Sequence, residues 1–316
     1  MKVFVAGATG VLGIPAVREL VREGHEVVGT ARTKEKADRL RALGAEPVLA
    51  DLLNRDGLEF ALKGCAWVLN LTSVIPQKLR TRPEDWRLND RVRTEGTRNL
   101  TYAARAARVE RYVHASVALV HGDHGGAWVE EESALNPGPW LRSALEGETL
   151  VQQAQVEGLP AVVVRPGFLY APDAWHTRWF VENLRSRGFR VPGRGENYVS
   201  PIHAEDAARA FIAAAKGAEP GQTFLAADDH PLPLREFADA WAGALGVRRP
   251  KSAPPFLARL AVGREAVEYA TLSQRLSNRK ARERLGWAPQ YPTVTEGAAA
   301  VARLLAGENV HRARGA

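Results

Sequence analysis

Cysteine is nearly absent: Cys65 stands alone among 316 residues. One cysteine excludes an internal disulfide and fits a reducing compartment. Long apolar runs are missing too. None approaches the roughly 20 residues that a membrane helix needs, so no membrane association is expected. No block of five like charges occurs, although the formal net charge is +7 and the pI about 9.7. The arginines are interleaved with acids, as in RALGAEP and RKARERLG. That balance can be read as a nucleic-acid binder or as an arginine-rich surface that meets small anionic ligands. No recognition motif accompanies the charge, so nucleic acid is not expected as a partner. No His/Cys/Asp cluster has metal-ligand spacing, so no metal site is expected, and no G-x-S-x-G elbow occurs. Met1 leads directly into KVFVAGATG, without a basic n-region, a long apolar h-region or a cleavage site. The expectation is a soluble, cytoplasmic chain without a signal peptide.

What is present is an ordinary globular composition, 45% apolar and 25% charged, enough for one large or two modest domains. The first 165 residues alternate short apolar runs with helical patterns. Strands are expected at 2–6, 26–31, 46–49, 67–71, 111–116 and 161–165, and helices at 12–22, 34–43, 58–62, 90–107 and 141–157. Nearly all-apolar, β-branched strands that alternate with helices imply an α/β fold with a parallel sheet covered on both faces. After Arg165 the alternation breaks, proline and glycine become frequent, and helices dominate. The stretch SPIHAEDAARAFIAAAK is expected to form a helix that packs back on the sheet. The stretch DAWHTRWFVENLRSRGFRVPGRG mixes Trp175, Trp179 and Phe180 with arginines. It can be a pocket for an aromatic or anionic ligand, or an amphipathic lid helix with a solvated basic face.

The most specific local signal is VFVAGATGVLGIPAVREL. Gly7, Gly10 and Gly13, with Thr9, Val11 and Leu12 among them, form G-x-x-G-x-x-G between a strand and a helix. Glycines there permit a tight turn, close approach of a pyrophosphate to the backbone, and close helix–sheet packing. The helix N-terminus adds unpaired N–H groups and a positive dipole end. The bland alternative is a tight turn with no ligand. An NAD-specific site places an acid at the end of the second strand for the ribose hydroxyls. Here VVGTARTKEK puts Ala31 at that place, followed by Arg32, Lys34 and Lys36. An acid would repel a 2′-phosphate, whereas arginine binds it bidentately. NADP(H) is therefore favoured over NAD(H), unless Arg32 only solvates the surface or stacks on adenine.

Several further segments, in order, make the chain resemble the extended short-chain dehydrogenase/reductase family, the NAD-dependent epimerase/dehydratase-like group. LADLLN resembles the segment where Asp51 and Leu52 meet the adenine. VLNLTSVIP resembles the cofactor-lining segment, here Leu71, Thr72 and Ser73. Asn89, Gly96, Thr97 and Asn99 fall at the family's places in LNDRVRTEGTRNL. VVVRPGFLYAP resembles the strand whose end, Pro166, Gly167 and Phe168, approaches the nicotinamide. SPIHAEDAARAF and LGWAPQYPTVTEG match later landmarks. The resemblance implies a Rossmann-like doubly wound parallel sheet with a smaller C-terminal substrate region. Residues 1–168 would bind NAD(P), with 200–228 packing back on them, and 169–199 and 229–316 would form a mostly helical substrate or lid region. It also implies a homodimer through helices 90–107 and 141–157, with Leu141, Leu145 and Val151 on the shared face.

The family's chemistry uses a Tyr as acid/base, a Lys four residues later that lowers its pKa and holds the ribose, and a Ser or Thr at the end of the fifth strand. Aligned on the flanking residues, these positions hold Trp140, Ala144 and Val117, and Ser116 precedes the last of them. No Tyr-x-x-x-Lys pair exists anywhere: residues four after the six tyrosines are Ala106, Ser116, Ala174, Ile202, Ser273 and Thr295. An indole N–H donates a hydrogen bond but does not ionise at useful pH, so no catalytic residue is assigned. Replacement acids are sought at His121, Asp123, His124, Glu130–Ser133, Tyr170 and His203, each of which also has a structural reading. Two functions follow from this pattern. One is an NADP(H)-binding reductase of a small carbonyl or alkene that lacks the usual relay. The other is a non-catalytic dinucleotide-binding redox sensor or assembly protein. A nucleotide-sugar epimerase or dehydratase is disfavoured by the missing Tyr and Lys.

Overall fold

The computed structural model describes residues 1–314. Seven parallel strands form the central sheet: β1 (Lys2–Ala6), β2 (Glu26–Thr30), β3 (Glu46–Val48), β4 (Trp67–Asn70), β5 (Arg111–Ala115), β6 (Ala161–Pro166) and β7 (Thr223–Ala226). Their order is β7-β6-β5-β4-β1-β2-β3. β1 lies between β2 and β4, with Val3 opposite both Val27 and Trp67. The chain therefore reverses its direction of winding beside β1, and crevices at such a reversal open at the carboxyl ends of the strands.

Alternate residues of these strands point to opposite faces. Val3 and Val5 pack with Val17 and Leu20 of α1 (Gly13–Arg22) and with Phe211 of α8 (Ala204–Gly217). Phe4, Val68 and Tyr112 pack on the other face with Leu58 of α3 (Arg55–Ala61), Leu100 of α5 (Thr97–Ala106) and Val151 of α6 (Arg142–Val156). α2 (Lys34–Ala42) buries only Leu40 and leaves its basic side in water. The segment SPIHAEDAARAFIAAAK thus supplies α8, which lies against α1, β5 and β6.

The second half builds a separate apolar cluster. Tyr170, Val181, Leu184, Phe237, Trp241 and Val301 join α7 (Trp175–Arg185), α9 (Leu234–Ala244) and α13 (Val294–Arg314). α10 (Pro255–Val262), α11 (Arg264–Thr271) and α12 (Arg279–Leu285) complete the helices of this half. Asp206 of α8 fastens the chain's later turns to the sheet. It is fully buried, and its carboxylate accepts from Gln290 N at 2.6 Å and Tyr291 N at 3.0 Å.

Three expectations need correction. The helix expected at 90–107 is a compound rod: α4 (Pro83–Arg91), a π-helical segment (Val92–Gly96) and then α5. Pro83 sits in its first turn, and Arg82 N donates to Asp85 Oδ2 at 2.7 Å, so the start is capped well before residue 90. The polar PEDWRLNDR hides this helix from a search for an apolar stripe. β7 was not anticipated as a strand, because it has only four residues and one neighbour, β6. Leu141 and Val151 are 3% and 1% exposed within the single chain, so they are not available for a dimer face. Among the described residues, no helix is long and apolar enough to cross a membrane.

Candidate functional site

A cavity of about 1750 Å³ runs from the turn after β1, across the strand ends, into the helical half. The turn is set by backbone geometry. Gly7 has φ +76°, and a Cβ there would lie 2.8 Å from Leu71 O. Its N–H donates to Thr30 Oγ1 at 2.9 Å, which ties the turn to the end of β2. Gly10 N donates back to Gly7 O at 2.9 Å. No side chain caps the start of α1; Ile14 N and Ala16 N donate to Gly10 O and Leu12 O and Pro15 has no N–H, so the positive end of the helix dipole is what this terminus offers an anion.

Of the expected turn residues, Gly7, Thr9, Gly10, Val11 and Leu12 line the cavity. Gly13 does not: a Cβ there would lie 2.1 Å from Gly7 O, so its role is close packing beneath the turn. Arg32 is exposed at the end of β2 and borders the cavity, with Arg18, Lys36 and Arg39 along the same wall. Arg18 and Arg39 pair with Glu205 and Asp173 at 3.2 and 2.6 Å. Arg32 has no ion pair among the described residues. Asp51 and Leu52 border the cavity after β3, where Asp51 Oδ1 accepts from Leu53 N at 3.0 Å. Asn99 Nδ2 donates to Leu52 O at 2.9 Å, and Gly96 leaves only 3.1 Å for a Cβ against Leu52. These two residues hold the Asp51–Leu52 loop from behind.

Leu71, Thr72 and Ser73 line the cavity after β4, and Thr72 Oγ1 is buried without a hydrogen-bond partner among the described residues. Asn89 was expected here but is fully buried behind the wall, where its Oδ1 accepts from Val74 N at 3.0 Å. It holds the loop from behind, and its Nδ2 is buried without a hydrogen-bond partner among the described residues. Pro166, Gly167 and Phe168 line the cavity as expected. A cradle that admits no Cβ, an orphaned hydroxyl and a cationic rim together fit a nicotinamide dinucleotide.

Ser116 lies at the cavity floor, yet its hydroxyl is bonded to Glu148. Glu148 in turn holds Arg165 through two bonds, at 2.9 and 2.6 Å, with side-chain exposures of 1% and 4%. Arg165 Nη1 continues to His121 Nε2 at 3.1 Å and Glu131 O at 3.2 Å. This buried network takes up His121, and the other expected replacement acids of the 123–133 segment have partners of their own. Burial and the Arg165 charge push His121 down to about 4. His124 Nε2 lies 3.1 Å from His121 O, Asp123 turns back to Gly125 N, and Ser133 Oγ accepts from Glu130 N. Glu130 and Glu132 pair with Arg279 and Lys280, and Glu131 caps Leu225 N at 2.8 Å. None of these groups lines the cavity.

Tyr170 and His203 do line it. Tyr170 Oη donates to Asp228 Oδ2 at 3.4 Å, and burial raises its pKa. Burial also pushes Asp228 up to about 8 and His203 down to about 4. His203 Nδ1 accepts from Glu205 N at 3.3 Å, which caps α8.

Val117 and Trp140 line the cavity, whereas Ala144 is 3% exposed and does not. α6 crosses the π segment tightly here: a Cβ on Gly147 would lie 2.8 Å from Arg93 O. Trp140 is part of a ring series. Its centroid lies 6.3 Å from that of Trp86 and 5.5 Å from that of Tyr269, and Tyr269 lies 6.3 Å from Phe168. Trp175, Trp179 and Phe180 of α7 line the deeper part of the chamber. Sequence reasoning missed Arg93 and Tyr269, which belong to different halves of the chain and meet only in the folded protein. No sequence signal marks Arg93; only the fold shows that it lies in the π segment, a feature that often accompanies functional sites.

The NAD dependent epimerase/dehydratase family model matches residues 3–227. A 3-diazoavenalumate denitrifying reductase from Streptomyces sp. is 31% identical over 309 residues, 94% of this chain and 99% of its own. A 4-hydroxy-2-methyl-3-oxo-4-farnesyl-3,4-dihydroquinoline-1-oxide ketoreductase from Stigmatella aurantiaca is 30% identical, covering 82% of this chain and 77% of its own. A human epimerase family protein solved with NADPH has the same fold, with a TM-score of 0.82 at 20% identity, covering 96% of this chain and 99% of that one. With seven-tenths of its length matched by the family model and a reductase relative along nearly all of it, the chain belongs to the NAD dependent epimerase/dehydratase family.

Proposed function

We propose that the protein is an NADP(H)-dependent reductase of a small carbonyl or alkene substrate that works without the family's usual proton relay. The observation that carries this reading is the single cavity, which joins the glycine turn and its cationic rim to an aromatic chamber. The turn from Gly7 to Leu12 and the start of α1 would hold the pyrophosphate. Arg32, flanked by Lys36, would take the 2′-phosphate. Asp51 and Leu52 would border the adenine, and Leu71–Ser73, Ser116 and Pro166–Phe168 the nicotinamide end. A reduced nicotinamide supplies hydride. This chain would supply position, a largely aromatic chamber and the indole of Trp140 in place of a phenol. With Val117, Trp140 and Ala144 at the relay positions, the proton that balances the hydride would come from a water molecule or a substituted acid of the cavity wall. The two reductases named above, among several reductases with similar sequences, support this class of reaction.

The same substitutions favour a second reading, a dinucleotide-binding sensor without turnover. Fluorescence titration with NADPH and NADH, followed by a screen of aldehydes, ketones and activated alkenes for NADPH oxidation, separates them. The reductase reading predicts NADPH binding and turnover of at least one substrate. NADPH binding without turnover across the screen favours the sensor, and no dinucleotide binding refutes both.

A further inference from the structure

One wall of the aromatic chamber carries a cation that no direct ion pair holds. Arg93 faces the cavity, and its Nη1 is buried without a hydrogen-bond partner. Among the described residues no carboxylate forms an ion pair with it. The neighbouring Asp90 attracts it through space without forming an ion pair, and its Oδ1 accepts from Ser143 Oγ at 2.7 Å. Burial pushes the guanidinium down to about 10, so it remains charged at neutral pH. Arg93 is half-buried as a residue, yet a charged group with a buried nitrogen left unbonded is costly unless a partner completes it. Two more donors stand in the same wall. The indole Nε1 of Trp86 is likewise buried and unpartnered, and Trp86 lies seven residues before Arg93 on the same helical rod. Tyr269 is close enough that the Arg93 charge pulls its phenol down, against a burial effect that raises it to about 12.

The surroundings define what the donors would hold. Trp86, Trp140, Tyr269 and Phe168 form an unbroken series of rings, with centroids 5.5–6.3 Å apart. Flat rings recognise flat rings by stacking or edge contact. A guanidinium is matched by the two oxygens of a carboxylate. We propose that Arg93, assisted by the Trp86 indole and the Tyr269 hydroxyl, anchors the carboxylate of an aromatic carboxylic acid whose ring lies among Trp140, Tyr269 and Phe168. The proposal names the substrate class of the reductase reading and rests on it for turnover, but not for binding.

The test uses trans-cinnamate and cinnamamide as probes. Their binding to the native protein and to Arg93→Gln is measured by calorimetry, with NADPH titrated in parallel. Cinnamate is expected to bind the native protein at least tenfold more tightly than its amide, in line with a hydrogen-bonded charge pair. In Arg93→Gln that preference falls to within about twofold, while NADPH affinity is unchanged. Tyr269→Phe, a milder change, lowers the preference severalfold and guards against misfolding of the arginine variant. Equal binding of acid and amide, no binding of either, or full cinnamate preference in Arg93→Gln would overturn the proposal. So would a parallel loss of NADPH affinity, which would make Arg93 a dinucleotide contact. Cinnamate preference in a protein that binds no NADPH would sustain this inference and sink the reductase reading.

Discussion

Replacing Glu148 by glutamine removes one charge from the most buried ion pair described in the molecule. The isosteric amide can still meet Ser116 Oγ and one Arg165 nitrogen, so the change isolates charge from shape. Glu148 and Arg165 are 1% and 4% exposed, and two hydrogen bonds join them. Breaking one side of such a pair costs about 3–5 kcal/mol, because an uncompensated charge stays behind. The retained bonds place Glu148→Gln at the lower end, about 3 kcal/mol. At roughly 2 °C per kcal/mol for a chain of this size, the melting temperature should fall by about 6 °C. Differential scanning calorimetry reads that shift, and urea unfolding checks it independently. The double variant Glu148→Leu with Arg165→Met should recover much of the loss, since apolar replacement of both partners is often neutral. A loss below about 1 kcal/mol in Glu148→Gln would refute the assignment of the network as a buried, charge-balanced support for the cavity floor.

Three further outcomes follow from other parts of the site. Gly7→Ala forces φ +76° on a residue with a Cβ and sets that atom 2.8 Å from Leu71 O. A stability loss of about 1–3 kcal/mol and loss of NADPH binding are expected, read by thermal melting and fluorescence titration. Asp228 stays protonated in the fold up to about 8, against an ordinary 3.8, with burial as the main cause and Asp229 adding to it. The folded state then binds an extra proton between those values. Its stability therefore falls as pH rises from about 4 to 8, by up to about 1.4 kcal/mol per pH unit. Asp228→Asn should flatten that slope and be more stable than the native protein at pH 8. An unchanged slope in melting curves over this range would contradict the assignment. Trp140→Phe keeps an aromatic ring in the chamber but removes the indole N–H, so turnover of a substrate found in the screen should persist within about tenfold. A loss of 100-fold or more would make the indole a hydrogen-bond donor to the reacting group.

The first half of the fold was legible because its signals are local. β-branched runs such as KVFVA and AVVVRP mark strands buried on both faces, and the glycine turn declares itself by spacing. Most of the expected lining residues border the cavity for the same reason: they sit at strand ends, where the topology must open. Gly13 and Asn89 show the limit of that reasoning. Gly13 follows the cavity-lining Leu12 and Asn89 lies between Trp86 and Val92, but one packs under the turn and the other bonds Val74 N from behind the wall. Which neighbour faces the cavity depends on tertiary packing. His121 and Glu130–Glu132 were plausible acids by position, and only the fold reveals that Arg165, Leu225, Arg279 and Lys280 already occupy them. Arg93 and Tyr269 were invisible for the converse reason. They are 176 residues apart and acquire meaning only where the π segment and α11 meet.

The central claim is that the turn after β1 and the cation at the end of β2 select NADP(H). The most direct measurement is the ratio of NADH to NADPH dissociation constants, in the native protein and in Arg32→Ala. A hydrogen-bonded charge pair to the 2′-phosphate predicts a native preference for NADPH of roughly tenfold or more. In Arg32→Ala that preference should collapse toward parity, with NADH affinity little changed. Equal affinities in the native protein, or an NADPH preference untouched by the loss of Arg32, would contradict the account.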